Sequence, residues 1–89
     1  GENEAGRQAT QMLVYLHRGL IRYVVSAKTP EDLVDEVADG AITEAVNAVL
    51  KNPPELANLK QFRGWLSQIA ARYTASITRD GREQARRDA

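Results

Sequence analysis

The chain has 89 residues, no cysteine and a formal net charge of zero, and these properties exclude several classes of protein. A chain of this length forms one small domain with a modest core. Without cysteine it has no disulfide, no thiolate metal ligand and no cysteine nucleophile, which fits a reducing compartment. Its apolar runs are too short to span a bilayer, and its polar, acidic N-terminus lacks the pattern of a signal peptide.

The neutral net charge hides an asymmetry along the chain. Residues 1–57 carry nine acids and five bases, and residues 58–89 carry three acids and seven bases. Such an asymmetry indicates two partners of opposite charge, or one end that binds nucleic acid. An uneven distribution of solvated charges would give the same composition, so composition alone leaves both interpretations open.

The first predicted element is a helix from about Glu4 to Ala27. Its apolar residues recur every three or four positions, and no segment has the alternation typical of strands. The side chains expected to face the core are Leu13, Leu16, Leu20 and Val24. Gly19 costs such a helix about 1 kcal/mol relative to alanine, which a close crossing with another helix would explain.

The motif KTPEDL predicts the start of a second helix, which runs to about Leu50. Thr29 suits the N-cap, Pro30 suits the first helical position, and the two following acids favour the positive end of the helix dipole. The motif KNPP ends the helix. Its predicted core residues are Leu33, Val34, Val37, Ala41, Ala45 and Val49, and its opposite face is acidic.

The segment NPPELANLKQ is the main predicted loop and leads into a third helix, with Asn58 as N-cap and Gln61 as its capping-box partner. The side chains expected to be buried are Phe62, Trp65, Leu66, Ile69, Tyr73 and Ile77. Gly81 is expected to weaken or end this helix. The predicted fold class is all-α, a compact three-helix bundle over residues 10–80, with a flexible segment 1–9 and a basic tail 81–89.

No group of residues has the pattern of a catalytic or metal site. His17 is the single histidine, and without cysteine or a second histidine we expect it to face solvent or a helix rather than to bind a metal. The glycines are isolated, and no nucleophile, base and orienting residue occur together. We therefore expect no enzyme and no cofactor. The glutamine and arginine residues of the third helix are suited to contact phosphates and base edges.

The order of these features resembles region 2 of bacterial RNA polymerase sigma factors, in particular the extracytoplasmic-function type. That family shows an EDLVQEVF-like helix, a loop, and an F..WL..IA helix that runs into basic residues. The matching positions are Glu31, Asp32, Leu33, Val34, Glu36 and Val37, then Phe62, Trp65, Leu66, Ile69, Ala70 and Arg79. The resemblance covers residues 10–88. The chain departs from the family pattern at Asp35, Ala38, Gly64 and the pair Ala71 and Arg72.

The resemblance implies a role in transcription initiation in the bacterial cytoplasm, away from membranes. The second helix would bind the clamp helices of the β′ subunit of the polymerase core, through Asp32, Asp35, Glu36, Asp39 and Ile42. The loop and third helix would melt the promoter −10 element and hold its non-template strand, through Asn58, Lys60, Gln61, Arg63, Gln68, Arg72 and Arg79. Members of that family are often held inactive by an anti-sigma protein, which becomes a further partner by analogy.

A second interpretation stays open, in which the chain is a helical protein-interaction module that binds no nucleic acid. The neutral net charge, the acidic half and the scarcity of aromatic residues favour it. Binding to single-stranded DNA discriminates between the two interpretations, because phosphate contacts release counterions and make the affinity fall with salt.

Overall fold

The computed structural model describes the backbone of residues 2–52, 54–55 and 57–88, and the side chains of residues 6–52, 54–55 and 57–78. Within these residues all regular structure is helical, so the predicted all-α class is confirmed. The four α-helices are α1 (Glu2–Leu16), α2 (Arg18–Ser26), α3 (Val34–Lys51) and α4 (Leu59–Asp88). A 3₁₀ turn over Glu31–Leu33 precedes α3. No helix in the described part of the chain is both long and apolar enough to cross a membrane.

Helix α3 is the central element and contacts α1, α2 and α4. Its buried face consists of small side chains, which let three helices approach it: Val34, Val37, Ala38, Ala41, Ala45 and Val49. The other helices complete the core with Val14, Ile21, Val25, Phe62, Leu66 and Ala70. Burial of this apolar surface is the main term that stabilises the fold.

The first predicted helix is broken at His17 into α1 and α2. His17 has φ −101° and ψ 18°, outside the α-helical region. Two side chains bond carbonyls at the break. His17 Nδ1 donates to Leu13 O at 2.8 Å, and Arg18 Nη1 donates to Tyr15 O at 2.9 Å. The bond from His17 Nδ1 adds to the backbone bond in which His17 N–H donates to the same Leu13 O at 3.0 Å.

The side chains of α1 and α2 that face the core also differ from the prediction. Val14, Ile21 and Val25 are buried, whereas Leu16, predicted to lie in the core, is 71% exposed. The predicted close crossing at Gly19 is wrong as well, because a Cβ at this position would meet nothing within 4 Å.

The start of the second predicted helix is displaced by one residue. Pro30, and not Thr29, occupies the N-cap position, so no side-chain hydrogen bond caps this end. The 3₁₀ turn is closed by Leu33 N–H, which donates to Pro30 O at 2.9 Å. Leu33 was predicted to lie in the core, but its side chain is exposed, so that assignment is wrong. The helix then ends at Lys51, as the motif KNPP predicts.

The predicted N-cap of α4 is confirmed. Gln61 N–H donates to Asn58 Oδ1 at 2.9 Å, and Ala57 N–H donates to Gln61 Oε1 at 2.8 Å. These bonds satisfy two backbone donors at the start of the helix. Helix α4 continues through Gly81 to Asp88, so Gly81 does not end the helix, which was one of the two predicted alternatives. The division of the chain after residues 9 and 80 stays a prediction.

The buried face of α4 is built from smaller side chains than predicted. Phe62 and Leu66 are buried, and three other predicted core residues pack half-buried against them: Trp65, Ile69 and Tyr73. Ile77 is 41% exposed, so its assignment to the core is wrong. Ala70 and Thr74 are buried instead, and Thr74 Oγ1 donates to Ala70 O at 2.8 Å.

Helices α3 and α4 meet where the ring of Tyr73 lies over Gly40. A Cβ at position 40 would stand 2.9 Å from Tyr73 Cε1 and 2.7 Å from Tyr73 Cζ, closer than packed carbon atoms approach. A glycine inside a helix costs about 1 kcal/mol relative to alanine, and here the packed ring accounts for it. The contact between Gly40 and Tyr73 therefore sets how α3 and α4 pack against each other.

Candidate functional site

Four acidic side chains form one exposed surface at the start of α3, which we call the acidic face. Its members are Asp32, Asp35, Glu36 and Asp39, and all four are exposed. Their spacing of three and four residues places them on one side of the helix, and the helix dipole favours acids at this end. The structure therefore brings together four of the five residues predicted to bind the polymerase.

Ile42, the fifth predicted residue, is half-buried at the edge of the acidic face. It lines a groove of about 580 Å³ between α2 and α3. The other residues of the groove are Leu16, Arg18, Gly19, Arg22, Ala38 and Asp39. The groove thus places apolar surface directly beside a carboxylate of the acidic face.

One member of the acidic face is paired within the chain. Arg22 Nη1 of α2 donates a hydrogen bond to Asp35 Oδ1 and forms a salt bridge with it. Both side chains are largely exposed, so we expect the pair to contribute little to stability. The main consequence of the pair is electrostatic, because the positive charge of Arg22 balances the negative charge of Asp35.

The residues predicted to contact DNA do not form one surface. Arg63 and Arg72 are nine residues apart, about two and a half helical turns, and so lie on opposite sides of α4. Lys60 lies nearer to Arg63, and these two residues form what we call the α1 flank. Gln68 lies nearer to Arg72, and these two form the α3 flank. All four side chains are exposed.

His17 connects the α1 flank to the break between α1 and α2. Its ring packs edge-on against the ring of Phe62, with centroids 5.2 Å apart and an interplanar angle of 69°. Since Nδ1 donates to a carbonyl, Nε2 is the acceptor, and Arg63 Nε approaches it at 3.5 Å. Of the two positions that the sequence left open for His17, solvent or a helix, the structure shows contact with α4. The described side chains contain no group of three or more potential metal ligands.

A groove of about 320 Å³ opens between α1, the loop and the start of α4. Its lining is mostly apolar, as in many small-ligand sites: Thr10, Leu13, Pro54, Ala57, Asn58, Leu59 and Phe62. Asn58 uses Oδ1 to cap α4, so its amide nitrogen is the group that can donate to a ligand. Gln61 uses Oε1 in the same cap, so its first role is to stabilise the start of α4 rather than to contact DNA.

The α3 flank has a different electrostatic environment. Arg72 lines a groove there with Glu44, Ile69, Tyr73 and Ser76. A carboxylate beside an arginine reduces the attraction of that arginine for a phosphate. Arg79, which was predicted to contact DNA with Arg72, lies outside the described side chains.

Sequence reasoning missed two long-range contacts in these surfaces. Arg22 and Asp35 are 13 residues apart, and His17 and Arg63 are 46 residues apart. No local spacing indicates either pair, because each depends on how two helices pack. The opposite charges of Arg22 and Asp35 were the only signal in the sequence.

Comparison of the chain with protein families, with curated proteins and with solved structures found no match. The features that support a function are the acidic face, the α1 flank and the grooves that adjoin them.

Proposed function

We propose that the protein is the polymerase- and promoter-binding domain of an alternative sigma factor of the extracytoplasmic-function type, which acts in the bacterial cytoplasm. The observation that carries this proposal is the acidic face of α3, set apart from the basic residues of α4. The resemblance to region 2 of sigma factors supplies a partner for each surface. Helices α1 and α2, taken as one helix bent at His17, would give the three-helix bundle that the resemblance implies. No catalytic step and no cofactor belong to the proposal.

The acidic face is the proposed contact with the clamp helices of the β′ subunit. Asp32, Glu36 and Asp39 lie on successive turns and attract basic side chains over about 8 Å at physiological salt. Ile42 and the groove beside it offer an apolar anchor, which is where interfaces gain most of their affinity. Asp35 contributes less than its neighbours, because Arg22 balances its charge. An anti-sigma protein, the further proposed partner, would have to cover this face.

Promoter DNA is the proposed partner of the loop and α4, and the α1 flank is the better candidate for the contact. Lys60 and Arg63 are exposed, and each directly follows in the sequence a residue that lines the groove, Leu59 and Phe62 respectively. An unstacked base of the −10 non-template strand would enter this groove while the two cations hold neighbouring phosphates. The α3 flank is the weaker candidate, since the carboxylate of Glu44 lines the same groove as Arg72.

Titration of the protein with a purified fragment that contains the β′ clamp helices tests the polymerase contact. The double variant Asp32→Ala/Glu36→Ala should lose at least about tenfold in affinity, which corresponds to about 1.4 kcal/mol. The matched control Glu44→Ala/Glu55→Ala removes the same charge from other exposed positions and should bind like the wild type. Absence of binding by the folded wild type, or equal losses in both variants, would overturn the proposed contact.

A helical protein-interaction module without nucleic-acid function is the second candidate. The observation that favours it is a group of exposed apolar side chains on α1 and α2, which includes Met12, Leu16 and Tyr23. A sigma-factor domain should bind single-stranded DNA with an affinity that falls as salt rises. If the protein binds no DNA at low salt while it retains its helices, this second candidate becomes the better one.

A further inference from the structure

His17 is the only histidine of the chain, and it lies at the break between α1 and α2, in contact with α4. Its Nδ1 donates to Leu13 O at 2.8 Å, and its ring packs edge-on against the ring of Phe62. These contacts set the orientation of the ring and leave Nε2 to face α4. Because a histidine changes its charge between about pH 5 and pH 8, the surroundings of Nε2 decide what a proton on this ring does.

The group that Nε2 faces is a cation. Arg63 Nε approaches it at 3.5 Å, in an exposed contact that is longer than the roughly 2.9 Å of an ordinary N–H hydrogen bond. While Nε2 is unprotonated, it accepts from Arg63. When Nε2 gains a proton, both nitrogen atoms are donors and neither accepts, so the direct bond is lost and two positive charges stand side by side.

Two N–H donors at this separation can share one anionic oxygen. An oxygen about 2.8 Å from each nitrogen makes two charge-assisted hydrogen bonds, and the guanidinium fork of Arg63 keeps further N–H groups for a second oxygen. A phosphate group supplies both oxygens. Lys60 precedes Arg63 by three residues on α4, so its ammonium group lies on the same side of the helix. A proton on His17 therefore adds a third cation to the two of the α1 flank.

Few acids are placed to offset this charge. The described side chains of α1, α2 and α4 include no Asp or Glu. On α3, Asp39 lines a groove with Arg18, the residue that follows His17, so a compensating cation lies in the same groove. In the loop, Glu55 is exposed and precedes α4 in the sequence. The described hydrogen bonds of His17 and Arg63 include neither carboxylate, so an anion from outside the chain is the natural partner of the protonated ring.

We propose that His17 is a pH-dependent phosphate ligand, which joins Lys60 and Arg63 when its ring gains a proton. The ligand is a phosphate of the single-stranded DNA backbone, so this role of His17 rests on the DNA contact proposed for the α1 flank. Proton uptake and DNA binding favour each other to the same extent, since the coupling between two sites is reciprocal. The affinity of the chain for DNA therefore rises as the pH falls.

Titrations of the full chain with oligo-dT at about pH 5.5 and about pH 8 test this role at one low salt concentration. The wild type should bind at least about fivefold more tightly at the lower pH, because a unit charge is added about 4 Å from a phosphate. His17→Asn keeps an N–H group for Leu13 O but cannot be protonated. Its affinity should change by less than about twofold between the two pH values, with its helical circular dichroism retained.

The matched control is Gln68→His in the His17→Asn background, which moves the histidine to the α3 flank and should not restore the pH dependence. A second measurement needs no variant. Calorimetric titration of the wild type with oligo-dT at about pH 6.5, in two buffers of different ionisation enthalpy, counts the protons that are taken up on binding. The expected value is a net uptake of up to about one proton per contact made by His17.

DNA binding by the wild type that is independent of pH, without proton uptake, would overturn the role of His17 and leave the DNA contact in place. The same holds if His17→Asn keeps the full pH dependence or if Gln68→His restores it. Absence of DNA binding at both pH values would overturn the DNA contact as well. If inorganic sulfate, at the same concentration of anionic groups, bound as tightly as oligo-dT and with the same pH dependence, the assignment of the site to DNA would be wrong.

Discussion

The acids at the start of α3 lie on one side of their helix, whereas the bases of α4 are divided between two sides. Asp32, Asp35, Glu36 and Asp39 follow one another at intervals that keep them on one side of the helix. Arg63 and Arg72 are separated by a half-integral number of turns, so one lies beside His17 and the other lines a groove with Glu44. Like charges that are close together in the sequence of a helix therefore form one surface only when their spacing follows the helical period.

The largest expected effect comes from the core that holds both surfaces in place. Leu66 is fully buried in α4, so Leu66→Ala should lower the free energy of unfolding by about 2–5 kcal/mol. Ile77→Ala, on the same helix at a position that is 41% exposed, should cost much less. Urea denaturation followed by circular dichroism measures both variants, and equal losses would contradict the observed face of α4.

The contact between α3 and α4 gives the next largest effect. Gly40→Ala forces the ring of Tyr73 away from α3 and should destabilise the fold by about 1–3 kcal/mol. Gly64→Ala is the matched control, because a Cβ there meets nothing within 4 Å. It should stabilise the protein by about 0.5–1 kcal/mol. If both variants changed stability in the same direction, the packing of Tyr73 on Gly40 would be wrong.

Two single variants distinguish the flanks of α4 as sites for DNA. Arg63→Ala should weaken binding to single-stranded DNA and lower the slope of log affinity against log salt by about one, because one phosphate contact is lost. Arg72→Ala should have a smaller effect, because the carboxylate of Glu44 lines the same groove as that residue. Titrations at several salt concentrations measure both slopes. A larger loss for Arg72→Ala would move the proposed DNA contact to the α3 flank.

The smallest expected effects concern the pair of Arg22 and Asp35. Arg22→Ala should change stability by no more than about 0.5 kcal/mol, since both side chains are largely exposed. In titrations with the β′ clamp helices, Asp35→Ala should cost less affinity than Glu36→Ala, because Arg22 already balances the charge of Asp35. A larger loss for Asp35→Ala would show that the ion pair opens when the partner binds.

Local signals in the sequence were sufficient for the all-α class, the end of α3 and the cap at Asn58. Each depends on residues within one helical turn, such as the bond from Gln61 N–H to Asn58 Oδ1. The break at His17 was not predicted, because it combines a local bond to Leu13 O with packing on Phe62, a residue 45 positions away. The exposure of Leu16 and the division of the α4 bases between two flanks were not predicted either. Both depend on which side of each helix packs against α3.

The central claim is that the chain carries two separate surfaces for two partners, and a crosswise titration tests it most directly. The affinities of Asp32→Ala/Glu36→Ala and of Lys60→Ala/Arg63→Ala are measured for the β′ clamp helices and for single-stranded DNA at low salt. The account predicts that the first variant loses at least about tenfold for the clamp helices only, and the second variant at least about tenfold for DNA only. If both variants lost affinity for the same partner to the same extent, the claim of two surfaces would be contradicted.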